Sequence, residues 1–251
     1  MTIEYPGKGD PARSLALLWR TSERASRKGK PDLSVDRVVR AAIEVADAEG
    51  LPALSMRRVA DRLGVGTMSL YTYVPGKPEL LDVMLDTVYG ETEPPEDLTG
   101  WRPRLEQIAR ENLRLYLRHP WLLQVATSRP VLGPNLTAKY EYELRAVDGI
   151  GLTDLEMDAV LTLITGFVHG AARGAADVIA AESLTGMTDQ QWWDAHAPFL
   201  GRIADPARFP VASRVGQAAG EAHQAAYDAD HAFDFGLQRI LDGIEALISS
   251  R

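Results

Sequence analysis

Apolar residues recur every three or four positions along most of the chain, the period of a helix with one buried face. Between Ser34 and Gly50 the stripe is Val35, Val38, Val39, Ala42, Ile43 and Ala46. Ser34 is placed to cap that helix and Gly50 to stop it. Ser55 opens a second helix, MRRVADRLG, with Met56, Val59, Ala60 and Leu63 at i, i+3, i+4 and i+7. A short helix follows in TMSLYTYV, broken by Pro75-Gly76, and a fourth in GKPELLDVMLDTVYG with Pro78 in its first turn. Ahead of these lie an amphipathic piece, SLALLWR, and a charged stretch ending in RKGKPD. Further helices are predicted near 101–118, 121–128, 135–149, 153–184, 188–204, 211–228 and 231–249. No segment sustains the two-residue alternation of a strand. The fold class is therefore all-α. The acidic, proline-bearing run ETEPPEDLTG divides the chain, giving an arm over 1–33, a helical unit over 34–91 and a larger one over 92–251.

The stretch GVGTMSLYTYVPGK is where this pattern meets chemistry. A phosphate loop needs G-x-x-x-x-G-K followed by Ser or Thr, after a strand. Here Lys77 is followed by Pro78 and the first glycine position holds Tyr71. A dinucleotide fingerprint needs a third glycine where Ser69 stands. A helix-turn-helix fits instead. Gly64 ends the first helix at positive φ, Val65 plugs the angle, and Leu70 and Val74 bury the inner face of the second helix. Met68 and Thr72 then point outward, flanked by Ser69 and Tyr71. Such groups reach phosphates, thymine methyls and base edges of double-stranded DNA.

Charge adds a direction to this reading. The net charge is −8 over 251 residues, against a chain that coats nucleic acid everywhere. Residues 1–90 carry 13 Lys and Arg against 12 Asp and Glu, while 91–251 carry 14 against 23. From Arg13 to Arg40 there are 8 basic residues (Arg13, Arg20, Arg24, Arg27, Lys28, Lys30, Arg37, Arg40) and 3 acidic ones. The front of the chain is thus the part suited to an anionic partner. There are no cysteines, so no disulfide or thiolate site exists. The opening MTIEYPGKGDPARS has no apolar core of a leader, and no uninterrupted apolar run nears the ~20 residues of a membrane span. A cytoplasmic home and no membrane partner are expected. The five histidines lack paired metal spacing, one Asp-x-x-His at Asp228 and His231 is the nearest approach to a ligand motif, and no G-x-S-x-G elbow occurs. No enzyme, metal or cofactor is expected.

Residues 34–90, with SVDRVVRAAIEVADAEG, LSMRRVADRLGVGTMSLYTYVPGKPELL and LDVMLDTVYG, resemble the DNA-binding domain of the tetracycline-repressor family of bacterial regulators. The later half resembles the family's regulatory domain in helix count and in its final FDFGLQRILDGI, and the basic arm resembles extensions on some actinobacterial members. The resemblance implies a helix-turn-helix domain over 34–91, a ligand-binding and dimerisation domain over 92–251, and a repressor freed from a palindromic operator by a small molecule. It implies a DNA contact for Arg57, base contacts for Thr67, Met68 and Ser69, and phosphate contacts for Tyr71, Tyr73 and Lys77, with Thr72 on the same face. Gly66 and Met68 depart from the family's founding member and leave this helix without a bidentate amide.

A homodimer is expected. Gly166, Gly170 and Gly174 recur on one face of 153–184, and Phe233, Leu237, Ile240, Ile244, Leu247 and Ile248 stripe the last helix. Candidates for the effector site are Tyr116, Trp121, Phe167, His169, Trp192, Trp193 and His196, aromatic groups with a few polar atoms. The alternative reading is a helical small-molecule carrier or enzyme with a vestigial DNA-binding head. An activator would use the same head as a repressor.

Overall fold

The computed structural model describes residues 3–21, 33–95, 98–223, 225 and 227–251. Among them run eleven α-helices: α1 (Pro11–Leu18), α2 (Val35–Glu49), α3 (Met56–Leu63), α4 (Thr67–Leu70), α5 (Lys77–Tyr89), α6 (Trp101–Arg118), α7 (Pro134–Arg145), α8 (Asp154–Thr185), α9 (Asp189–Ile203), α10 (Pro210–His223) and α11 (Ala229–Ser249). One isolated parallel bridge, Glu4 to Val125, is the only β pairing among the described residues. Arg24, Arg27, Lys28 and Lys30 of the basic arm lie outside the described residues.

Local chemistry sets the first helices. The Ser34 hydroxyl accepts from Arg37 N at 3.2 Å, and the Ser55 hydroxyl from Arg58 N at 3.1 Å, each satisfying a free amide of a first turn. Gly64, at φ 67°, ends α3. Its N–H reaches Asp61 O at 3.3 Å while Val65 N–H reaches Ala60 O at 3.1 Å, the paired bonds that close a helix through a left-handed residue. Only glycine takes that φ without strain.

The expected helix TMSLYTYV is helical in its first half alone. The amides of Tyr73 and Val74 both converge on Leu70 O at 2.9 Å, so the chain turns out of the helix after α4. Pro75 disfavours helical geometry at the residue before it. Leu70 and Val74 are nonetheless fully buried, so the turn keeps the intended inner face.

Beyond the head, α6, α8 and α11 pack together, and α7 bridges α5 and α8. Helix α8 is long and apolar enough to cross a membrane by length and composition. Its Met157, Val160, Leu161, Ile164, Val168 and Ala172 are buried within the protein instead. Helix α9 buries no residue, and α10 only Gly220. The helix expected over 121–128 is a 3-10 turn, Pro120–Gln124, after which Val125 is extended and pairs with Glu4. The helix expected over 135–149 stops at Arg145, with a turn through 149. Half of the last helix's apolar stripe packs within this chain, because Phe233, Leu237 and Ile244 are buried.

Leu70→Ala removes a fully buried side chain beneath the exposed turn. It is expected to lower unfolding stability by about 2–4 kcal/mol in a denaturant titration, with helical content retained.

Candidate nucleic-acid interface and ligand cavity

Helix α3 carries three arginines. Arg58 is held by Glu49 through contacts of 2.7 to 3.1 Å, and Arg62 by Glu44 at 2.9 and 3.1 Å. The Arg58 guanidinium keeps the Glu49 carboxyl below the usual carboxylate range. Those pairs fasten α3 to α2. Arg57 is exposed and makes no hydrogen bond or ion pair among the described residues. It is the arginine of the three left to an outside partner.

The turn beyond α3 presents the predicted face. Met68 is 79% exposed and Tyr71 44%. Ser69 and Thr72 are exposed, and Thr67 and Tyr73 half-buried, with Tyr73 packed on the core. Lys77 begins α5, where free backbone amides add positive potential. Its ammonium lies 3.7 Å from the Glu4 carboxylate.

The head is tied to the rest of the chain at one buried histidine. His119 follows α6 and places Nδ1 2.7 Å from Asp47 of α2 and Nε2 3.1 Å from Glu91 beyond α5. The Trp121 indole N–H donates to the same Asp47 oxygen at 2.8 Å. Arg118 adds a contact to Glu91 at 2.9 Å.

A cavity of about 630 Å³ opens among α5, α6, α7, α8 and the segment 122–132. Leu85, Leu122, Val125, Leu132, Leu136 and Leu161 supply its apolar wall. Polar groups make up much of the rest, Thr127, Arg129, Thr162 and Thr165 among them, and several others are satisfied within the wall. Lys139 and Glu143 form a buried ion pair, and Asn112 donates to Glu143 at 3.0 Å and to Ile108 O at 2.9 Å. Burial pushes the Tyr89 and Tyr116 phenols up. His169 meets Tyr116 edge-on at 5.5 Å. Burial, aided by the Arg173 charge, lowers the His169 pKa below its ordinary 6.5. Its Nε2 is buried without a hydrogen-bond partner among the described residues. At the exposed edge Tyr140 donates to Asp158 at 2.8 Å. An apolar chamber with a few fixed polar atoms suits a drug-sized organic molecule.

Of the seven residues expected around a ligand, Tyr116 and His169 line this cavity. The other five lie elsewhere. Trp121 is 1% exposed and serves the junction with Asp47. Phe167 stacks on Phe233 of α11 at 5.7 Å, because residues two apart on α8 point ~200° apart and His169 takes the cavity side. Trp192 stacks on His196 at 4.3 Å along α9, and Trp193 wedges against Gly220 of α10, where a Cβ would collide with its ring. Sequence reasoning passed over Asn112, Lys139 and Glu143. Asn112 had a legible signal, a polar residue in the stripe Ile108, Asn112, Leu115. The Lys139 and Glu143 spacing is that of any exposed helical pair.

Residues 38–84 match the family described as bacterial regulatory proteins, tetR family, and residues 93–248 match the tetracyclin repressor-like C-terminal domain. The chain is 52% identical over 252 residues to the HTH-type transcriptional repressor DrrR1 of Streptomyces coeruleorubidus, covering 100% of this chain and 91% of that one. Among solved structures, ActR of Streptomyces coelicolor in complex with actinorhodin is similar at TM-score 0.72 and 32% identity, over 86% of this chain and 97% of that one. ActR in complex with (S)-DNPA gives TM-score 0.69 at 31% identity, over 86% and 99%.

Lys139→Met strands Glu143 in the cavity wall with Asn112 as its remaining partner. The expected loss is about 3–5 kcal/mol in chemical unfolding, largely recovered when Glu143→Leu is added. His169 is expected to make stability depend on acidity. The unfolded imidazole takes a proton at a higher pH than the folded one, so this group's share of stability is full above pH 6.5 and is lost as pH falls below it. Thermal melts of His169→Phe against the parent chain should show a flatter decline through that window.

Proposed function

The chain belongs to the tetracycline-repressor family of bacterial regulators, and from that premise we propose how its two sites work together. It is a DNA-binding transcriptional repressor that responds to a small molecule. In our reading residues 34–91 form the DNA-binding head and 92–251 the regulatory domain, with the arm over 1–33 ahead of both. Thr67, Met68 and Ser69 meet base edges. Tyr71, Thr72, Tyr73 and Lys77 grip phosphates, and Arg57 reaches the duplex from α3. The observation that carries this is the exposed turn with Met68 outward, on a base whose Leu70 and Val74 are fully buried. Such a base holds its contacts still, which direct readout requires. No amide side chain stands on that face, so hydroxyls, the methionine thioether and DNA shape carry specificity.

One such head makes few contacts, so two are brought to one palindrome by a homodimer. The surface we assign to it joins α8 and α11, where Ala159, Leu163, Ile240, Gly243 and Leu247 line a shallow groove. Leu155 is 84% exposed and Leu163 51%, and a Cβ at Gly170 would meet open space. Gly174 instead lies under Tyr227 of its own chain.

The cavity is the effector site, a sensor without turnover, for a molecule of the kind that actinorhodin represents in ActR. Leu122 lines the cavity beside Trp121, whose N–H holds Asp47 of α2. An effector that moves the 3-10 turn therefore moves the head, and two heads at altered spacing no longer fit one operator. A repressor of this kind works in the cytoplasm, with the chromosome.

Arg57→Ala and Lys77→Ala are each expected to weaken operator binding about tenfold and to lower the salt slope by roughly one, read by fluorescence anisotropy across a salt series. Unchanged affinity and slope in both would overturn the reading. Leu163→Glu is expected to halve the solution mass by light scattering and to remove operator binding with it.

A further inference from the structure

Residues 3–10 lie outside both stretches that match the family, which span 38–84 and 93–248. They are docked at every other step. The Glu4 amide donates to Gln124 O at 2.9 Å, and the Ala126 amide donates to Glu4 O at 2.8 Å. Pro6 is buried and lines the cavity. The Gly7 amide, at a φ of +70°, donates to Asp82 of α5 at 2.9 Å. Gly9 lies so close to Glu79 that a Cβ there would collide with its carboxyl. Asp10 caps α1, which packs along α5. Within a few residues the segment thus spans from the cavity rim to the start of α5.

The Glu4 side chain ends this path at the head. Its carboxylate oxygens lie 3.7 Å from Lys77 and 3.6 Å from Lys8. Lys77 is the lysine assigned above to operator phosphate. A phosphate that binds Lys77 comes close to the Glu4 carboxylate, and like charges at that range repel. The Glu4 N–H and C=O are both bound to the 124–126 rim, so while the segment is docked the carboxylate charge stays within reach of Lys77.

We propose that residues 3–10 form a strap that couples the cavity to the DNA-binding head: docked, it holds Lys77 through Glu4, and operator grip on Lys77 requires it to loosen from the cavity rim. Glu4 is a positioning residue that opposes DNA binding, and Pro6 makes the strap part of the cavity wall. This rests on the assignment of Lys77 to phosphate and of the cavity to the effector. An effector packed beneath Pro6 and against Val125 favours the docked strap and so favours release.

The test uses the full chain and a duplex that the protein itself selects from random DNA, with no small molecule present. Glu4→Gln keeps the backbone bridge and removes the charge. It is expected to bind the duplex about threefold more tightly, the scale of one exposed ion pair. Glu4→Gln with Lys77→Ala is expected to match Lys77→Ala alone. Hydrogen exchange at the Ala126 and Gly7 amides is expected to quicken when the parent chain binds the duplex. Unchanged affinity in Glu4→Gln, or a gain that persists without Lys77, overturns the competition. A gain in affinity with unaltered exchange at Ala126 overturns the coupling to the cavity rim. Either result with Lys77→Ala still weakening binding leaves the operator reading standing, whereas a parent chain that selects no duplex ends that reading itself.

Discussion

The contact that exposed Asp47 makes with buried His119 and Trp121 is the constraint on which the molecule turns. Asp47 sits near the end of α2, and its Oδ1 faces Nδ1 of His119 and the indole N–H of Trp121. His119 is 5% exposed and Trp121 1%. Without a carboxylate there, two buried polar groups would lie unpaired, a cost that a half-buried site bears poorly. The contact therefore fixes where the head stands relative to α6. Leu122, next to Trp121 in the chain, is on the cavity wall, so the junction and the cavity share one turn of backbone.

Helix α5 adds a second set of obligations. It runs between head and body with Glu79, Asp82 and Asp86 buried along it. Burial raises the carboxyls of Asp82 and Asp86, while backbone amides that donate to them work in the other direction. Asp82 takes the Gly7 amide, and Asp86 takes the Leu136 amide at 2.9 Å, at the start of α7. A carboxylate at a helix N-terminus is well placed electrostatically. These acids act as addresses rather than as stabilisers: each is tolerable only when one particular segment is docked. Gly133 is part of that address, since a Cβ there would collide with the Asp86 carboxyl.

The cavity follows the same rule. Two of its charges cancel within the wall, Lys139 against Glu143, and the Tyr140 phenol is held by Asp158 at the edge. The remaining lining is apolar surface together with Thr127, Arg129, Thr162 and Thr165. In the proposed reading, selectivity rests on shape and on a few hydrogen bonds.

Sequence alone determined the helical class, the Ser34 and Ser55 caps, the left-handed Gly64 and the buried pair Leu70 and Val74, because each is a decision made within one or two turns of chain. The exposed face of the turn at Met68, Ser69, Tyr71 and Thr72 followed from the same local geometry. Tertiary structure decided whatever depends on a partner far along the chain. Val125 leaves the helix predicted for it because Glu4, 121 positions away, offers a strand-like bridge. Trp121 serves the junction because Asp47 is opposite, and Phe167 turns to α11 because Phe233 is there. Lys139 and Glu143 look like a solvent pair until α6 and α8 close over them. Periodicity tells which face of a helix is buried, and only the assembled fold tells what lies against that face.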